Sequence, residues 1–118
     1  MVLDCTDVGE LSRFYQSLLD GVLHQPDPRW SLGEGWATLH TDGVFVLAFQ
    51  RAEDYRPPRW PDSDHPQQFH LDLAVEDLDR AQEDVLNRGG TLLDEGDGKR
   101  SWRIFADPAG HPFCLVRD

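Results

Sequence analysis

The sequence predicts an α+β fold built from two tandem β-α-β-β-β modules. Three observations carry that reading. Period-2 runs such as "HLDLAV" (70–75) stand beside stretches with helical spacing. The order strand, helix, strands occurs twice. The two copies also register by counting. Asp77 lies 70 positions after Asp7, while Trp102, Phe105, Phe113 and Leu115 lie 66 positions after Trp36, Leu39, Leu47 and Phe49. Self-similarity at nearly the same offset marks a duplicated unit, here one helix covering one face of a sheet.

The elements follow in order. "VLDC" (2–5) is short, apolar and compatible with a strand. Asp7 with Glu10 three residues on opens a helix in the manner of a capping box. Leu11, Phe14, Tyr15, Leu18 and Leu19 recur at helical spacing, and Gly21 stops the run. After a polar stretch with prolines come "WATLHT" (36–41) and "VFVLAFQ" (44–50), two strands with "TDG" as a hairpin turn between them. The segment "RAEDYRPPRWPDSDHPQQ" (51–68) is charged and proline-rich, which reads as a linker or lid. The second copy begins with "HLDLAV". Asp77 caps a helix carrying Leu78, Ala81, Val85 and Leu86, and "RGG" (88–90) ends it. "TLLDE" (91–95) is a strand, "GDGK" a turn, and "WRIFAD" (102–107) and "PFCLVR" (112–117) are strands joined by "DPAGH". The expected organisation is one domain over 1–118, with module one at 1–50, the linker at 51–68 and module two at 69–118.

Bulk properties narrow the function classes. A chain of 118 residues with 39% hydrophobic content suits a single domain with its own core. The formal net charge of −11 disfavours nucleic acid and anionic membrane as partners, since both need clustered Lys and Arg. There is no run of about 18 apolar residues and no signal-peptide pattern in "MVLDCTD". The two cysteines, Cys5 and Cys114, are far apart in apolar contexts, which is no disulfide framework and fits a reducing, cytoplasmic setting.

Three stretches carry a resemblance to a known group: "LDCTDVGELSRFYQSLLDG" (3–21), "HLDLAVEDLDRAQEDVLNRGG" (70–90) and "WRIFADPAGHPFCLV" (102–116). With them the chain resembles the vicinal oxygen chelate superfamily, the glyoxalase/bleomycin-resistance/dioxygenase group, and within it the short glyoxalase-like proteins. The resemblance implies sheets curled around a shared cavity, a homodimer and, in many members, a divalent metal held by four side chains. In metal-using relatives each module gives one ligand from its first strand and one from its last. The first-strand position lies seven residues before the capping Asp. Here that is His70 in the second module, whereas in the first module it falls one residue before Met1. The last-strand position, usually Glu, is Cys114, and its first-module equivalent is Ala48. Such a set is poor in the oxygen and imidazole donors that Mg²⁺, Mn²⁺ or Fe²⁺ need.

Strand alternation then sorts the residues. Leu71, Leu73 and Val75 should face the helix, with His70, Asp72 and Ala74 on the cavity side. Phe113 and Leu115 share the helix side, Pro112, Cys114 and Val116 the cavity side, and Val46, Ala48 and Gln50 point inward in module one. Asp4 sits on a cavity-facing strand, and Cys5 belongs to the core. Cys114 reads as an inert buried thiol, with a reactive thiol as the other option. Trp36 and Trp102 repeat across the halves and should share a role, as core or as pocket wall. Trp30 and Trp60 lie in proline-flanked loops, where they anchor the loop or cover a ligand. Arg103 reads as a surface residue or a partner for an anionic ligand group. His24, His40, His65 and His111 read as loop or surface residues. For His70 three roles stay open: a solvated strand start, an acid/base or ligand-contacting histidine in a metal-free cavity, and a metal ligand.

The leading expectation is a glyoxalase/bleomycin-resistance-like protein that binds a small organic molecule without the family metal. His70, Asp72, Gln50, Cys114, Trp102 and Trp36 are the candidate ligand-binding residues, and His70 is the best catalytic candidate. No cofactor is expected, and His70 is the ligand if a divalent metal is bound. A metal-dependent lyase, isomerase or dioxygenase is the rival, drawing extra donors from Gln50, Asp72 or Cys114. A third reading is a non-catalytic interaction or regulatory module using the Pro/Trp loop at 55–61.

Overall fold

The structure, a computed structural model, describes residues 1–24, 35–41, 45–67 and 69–117. It forms two compact units, Met1–Tyr55 and Arg56–Asp118. In the first, β1 (Val2–Cys5) leads into α1 (Val8–Leu19), followed by β2 (Val22–His24), β3 (Trp36–Thr41) and β4 (Phe45–Arg51). In the second, β5 (Leu71–Val75) leads into α2 (Leu78–Asn87), followed by β6 (Thr91–Asp94), β7 (Trp102–Ala106) and β8 (Pro112–Arg117). The sheets have the same order, β1-β4-β3-β2 and β5-β8-β7-β6. In each, the first strand runs parallel to the last and the other pairs are antiparallel. The duplicated βαβββ arrangement expected from the repeat is therefore present.

The helices start where the capping residues require. Asp7 accepts a hydrogen bond from the Glu10 N–H at 3.0 Å, and Asp77 accepts one from the Arg80 N–H at 3.2 Å. Each satisfies a backbone donor that the first helical turn leaves without a partner. α1 ends at Leu19 and the chain reverses through Asp20 and Gly21, whose φ angles are 61° and 105°. A Cβ on Gly21 would stand 2.5 Å from the His40 carbonyl oxygen, so only glycine fits there. β2, just after this turn, is the strand that the repeat calls for in the first module but to which the sequence reading assigns no residues. It is a three-residue edge strand with its ends exposed, and so carries no alternating signal to read.

Within the first unit α1 lies against β3 and β4. Leu11, Phe14 and Tyr15 are buried with Leu39, Leu47 and Phe49, and the Tyr15 and Phe49 rings stack at 5.8 Å. In the second unit α2 lies against β6 and β8, and Leu78 and Val85 are buried together with Phe105, Phe113 and Leu115. Phe105 and Phe113 are cross-strand partners stacked at 5.7 Å, and Leu39 and Leu47 hold the same register in the first sheet. The sequence offset thus repeats a physical contact. Each such side chain contributes about 1.5–3 kcal/mol of burial. Leu86 does not join its helix's apolar face and is 43% exposed. It follows Val85 directly, so the helical turn of about 100° per residue carries it away from the sheet.

The expected linker 51–68 is divided. Residues 51–55 stay with the first unit, and 56–67 pack with the second. Pro58 is buried, and the Arg59 N–H donates to the His65 carbonyl at 2.7 Å. This segment covers the "DPAGH" turn, since a Cβ on Gly110 would stand 3.0 Å from the Pro57 Cβ and 3.2 Å from the Pro58 oxygen. His111, read as a loop or surface residue, lies in the turn but is consequently only 1% exposed, with its ring 5.2 Å from that of Phe69. The "TDG" turn beyond Thr41 and the proline-containing stretch with Trp30 lie outside the described residues. Among the described residues no helix is long and apolar enough to cross a membrane.

Candidate functional site

The site grows from the pairing of β5 with β8. Parallel register sets Asp72 beside Cys114 and Ala74 beside Val116, and antiparallel register sets Trp102 of β7 beside Val116. Alternation puts these even-numbered side chains on one face of the sheet. The other face takes Leu71, Phe113 and Leu115 into the core. His70 precedes β5 with the same parity as Asp72, so its imidazole projects over the same face.

Together His70, Asp72, Trp102, Cys114 and Val116 line an open pocket of about 350 Å³. Donor atoms of His70, Asp72 and Cys114 lie within 4.8 Å of one another. His70 Nε2 stands 3.4 Å from Asp72 Oδ1, with both side chains substantially exposed. Burial raises the Cys114 thiol to about 11, aided by the charge of the Asp72 carboxylate and a hydrogen bond to it; Arg100 opposes this. The thiol is therefore protonated at neutral pH, as expected of the inert option.

Trp102 is 42% exposed and forms the pocket wall. This decides between wall and core for Trp102. One of its faces carries Arg100, whose guanidinium lies 5.2 Å from the ring centroid. Arg100 is itself tied to Asp94 Oδ1 at 2.8 Å and donates through Nε to the Trp102 carbonyl at 3.0 Å. The sequence reading did not find Arg100. Its place depends on the turn at 96–99, where Gly96 and Gly98 take φ angles of 79° and 80° and fold the loop back on β7.

Gln50 and Trp36 are cross-strand partners in the first unit's sheet and occupy the positions that Val116 and Trp102 hold in the second. Both are half-buried. Asp4 pairs in register with Gln50, and Cys5 is buried as expected. Arg103 is largely buried and held by partners on α2. It bonds Asp79 at 2.8 Å and Gln82 Oε1 at 3.0 Å, which ties β7 to α2. A second pocket of about 300 Å³ at the start of α2 contains Arg100, Arg103 and Arg117, and also Glu76, Asp79 and Glu95. With Asp77 the pocket has four carboxylates against three arginines.

The comparisons with known proteins agree with this fold. The fold and the duplicated module define a protein of the vicinal oxygen chelate superfamily. The chain belongs to the Glyoxalase-like domain family, whose model matches residues 1–116. A glyoxalase/bleomycin resistance protein/dioxygenase family enzyme from Burkholderia phytofirmans is similar in structure, with a TM-score of 0.72 and 17% identity, covering 99% of this chain and 94% of that one. The fosfomycin resistance protein FosX from Mesorhizobium loti gives 0.71 and 16%, covering 98% and 86%. FosX from Listeria monocytogenes gives 0.69 and 14%, covering 98% and 85%. None of the curated proteins matches the chain in sequence.

The donor set does not fit the hard-metal centre that the family resemblance implies. His70 matches a ligand position, but Cys114 replaces the usual carboxylate, and the Ala48 methyl group offers no donor. Mg²⁺ and Mn²⁺ require several oxygen ligands, and a thiol is a poor substitute.

Proposed function

We propose that this chain binds a small organic molecule on the face formed by β5, β8 and β7, without the family's hard-metal centre. The observation that carries this reading is the Trp102 indole, 42% exposed beside His70, Asp72 and Cys114 in a pocket of about 350 Å³. The open part of the indole offers a flat apolar platform on which a flat ligand can pack. The polar groups around it can orient such a ligand. A mixed pocket of this kind suits capture without turnover, as in resistance proteins that sequester a drug. His70 is the candidate acid or base if a reaction follows. A cytoplasmic setting agrees with the two free cysteines.

The experiment is a fluorescence titration of the purified protein, in chelator, against bleomycin, fosfomycin and a panel of small aromatic compounds. At least one compound should quench tryptophan emission saturably, and Trp102→Phe should remove most of that signal. Quenching that is equal in Trp102→Phe for every binder would place the ligand elsewhere. No response to any compound would remove the reading.

A further inference from the structure

The pocket of the second unit has a charge preference as well as a shape. We propose that it selects a flat aromatic cation, with the Asp72 carboxylate facing the positive charge and the Trp102 indole carrying the ring. The proposal rests on the capture reading and names the ligand class that reading leaves open.

Three observations support this choice. The first is that Asp72 is the unbalanced charge of the pocket. Its side chain is 62% exposed, and among the described residues no Lys or Arg bridges it. His70 Nε2, at 3.4 Å, offsets the carboxylate only when protonated. Arg100 is near enough to act on Cys114, but Asp94 holds it at 2.8 Å and counters its charge. The second observation is that an anion meets this carboxylate directly and finds the Cys114 thiol already donating to it. The third is the open indole of Trp102, whose negative π face attracts cations more strongly than any other side-chain ring. The carboxylate is also no consequence of the repeated fold. Asp72 pairs with Cys114 across β5 and β8, whereas the corresponding pair in the first sheet is Val2 with Ala48.

The chemistry sets the order of affinities. A cationic ring gains attraction to Asp72 that a neutral ring of the same shape does not, and an anionic ring is repelled. At a partly exposed site one such pair, about 4–5 Å apart, is worth about a tenfold preference. Delocalised charge on a flat ring is more weakly hydrated than a compact ammonium group, so it loses less on leaving water. The net charge of −11 adds a long-range pull in the same direction. That pull acts on any cation, whereas the contact with Asp72 acts only on one seated in the pocket.

The test titrates the full chain at pH 8 with three flat bicyclic probes: N-methylquinolinium, quinoline and naphthoate. The readout is the Trp102 indole N–H signal in a nitrogen–proton correlation spectrum, assigned by its loss in Trp102→Phe. N-methylquinolinium should bind about tenfold more tightly than quinoline, and naphthoate more weakly than either. Raising NaCl from about 0.02 to 0.2 M should weaken the cation several-fold and leave quinoline unmoved. In Asp72→Asn the ratio of cation to quinoline affinity should fall to about twofold or less, while Asp72→Glu, which keeps the charge, should keep the preference. Quinoline or naphthoate binding as tightly as the cation overturns the proposal and leaves the capture reading standing, because Trp102 is still engaged. A tenfold preference that survives Asp72→Asn overturns it too, since net charge would then be its source. No shift of the Trp102 signal with any of the three probes also overturns it, and the wider compound panel then decides the capture reading separately. If Asp72→Asn does not fold, a cation affinity that is indifferent to salt overturns the proposal equally.

Discussion

At the scale of single residues, Cys114 shows how two neighbours set a reactivity. Its thiol is held at about 11, first by burial and then by the Asp72 carboxylate. At pH 8 only about one thiol in a thousand would be ionised, against roughly a quarter for an ordinary cysteine. The greater nucleophilicity of the high-pKa thiolate offsets part of that gap. Iodoacetamide in the presence of chelator should therefore label Cys114 tens of times more slowly than a free thiol, with a rate climbing about tenfold per pH unit up to pH 11. Asp72→Asn removes the charge that opposes ionisation, so the pKa falls and labelling at pH 8 should speed up several-fold. Mass spectrometry of the labelled peptide reads both. A pH-independent rate would show that the carboxylate and burial do not govern this thiol. Much of this neighbourhood was legible beforehand. Period-2 alternation put His70, Asp72 and Cys114 on one side of their strands. What alternation could not supply is the register that makes Asp72 and Cys114 neighbours, because register belongs to the pairing of two distant segments. The burial of His111 in its turn was not legible for a related reason. Its burial comes from Pro57 and Pro58 folding over the turn, a contact between segments about 50 residues apart.

At the scale of elements, the two helix starts are equivalent and can be compared directly. Asp7 and Asp77 each accept one backbone N–H at the third position of their helix. Replacing either by alanine should cost about 1 kcal/mol, read as a shift in the urea midpoint at unchanged slope. No change for either variant would mean that solvent caps the helix as well as the side chain does. The end of α1 is less forgiving. Gly21→Ala asks for a left-handed alanine and drives its Cβ to 2.5 Å from the His40 carbonyl. A loss of roughly 2 kcal/mol or more is expected, and β2 should fray because it starts at the next residue. In the sheets, Phe113→Ala removes a ring that is fully buried against Phe105 and should cost about 3–5 kcal/mol. That is a large share of the 5–15 kcal/mol typical of a domain, so the variant should be largely unfolded in mild denaturant. These elements were legible because each leaves a local mark: a capping Asp, a stopping Gly, a period. β2 leaves none, being three residues long at an edge.

At the scale of the whole molecule, charge imbalance is the dominant electrostatic feature. Asp and Glu total 22 against 11 Lys and Arg, a net of −11. Salt acts on this in two opposing ways. It weakens attractive pairs, and among the described residues two arginine–carboxylate bridges stand out, Arg100 with Asp94 and Arg103 with Asp79, both at 2.8 Å. Asp79 and Asp94 are 87% and 37% exposed, so each bridge contributes no more than about 1 kcal/mol. Salt also screens the mutual repulsion of the unbalanced carboxylates, which acts over the Debye length of roughly 10 Å at 0.1 M. With half of the acidic groups lacking a counter-charge anywhere in the chain, repulsion outweighs two exposed bridges. The melting temperature should therefore rise as NaCl is raised from about 0.01 to 0.15 M. Differential scanning calorimetry in sodium chloride, at low protein concentration, measures this without the surface-exclusion effects of sulfate. A melting temperature that falls with salt would show that paired charges, and not net charge, control the stability of this acidic chain.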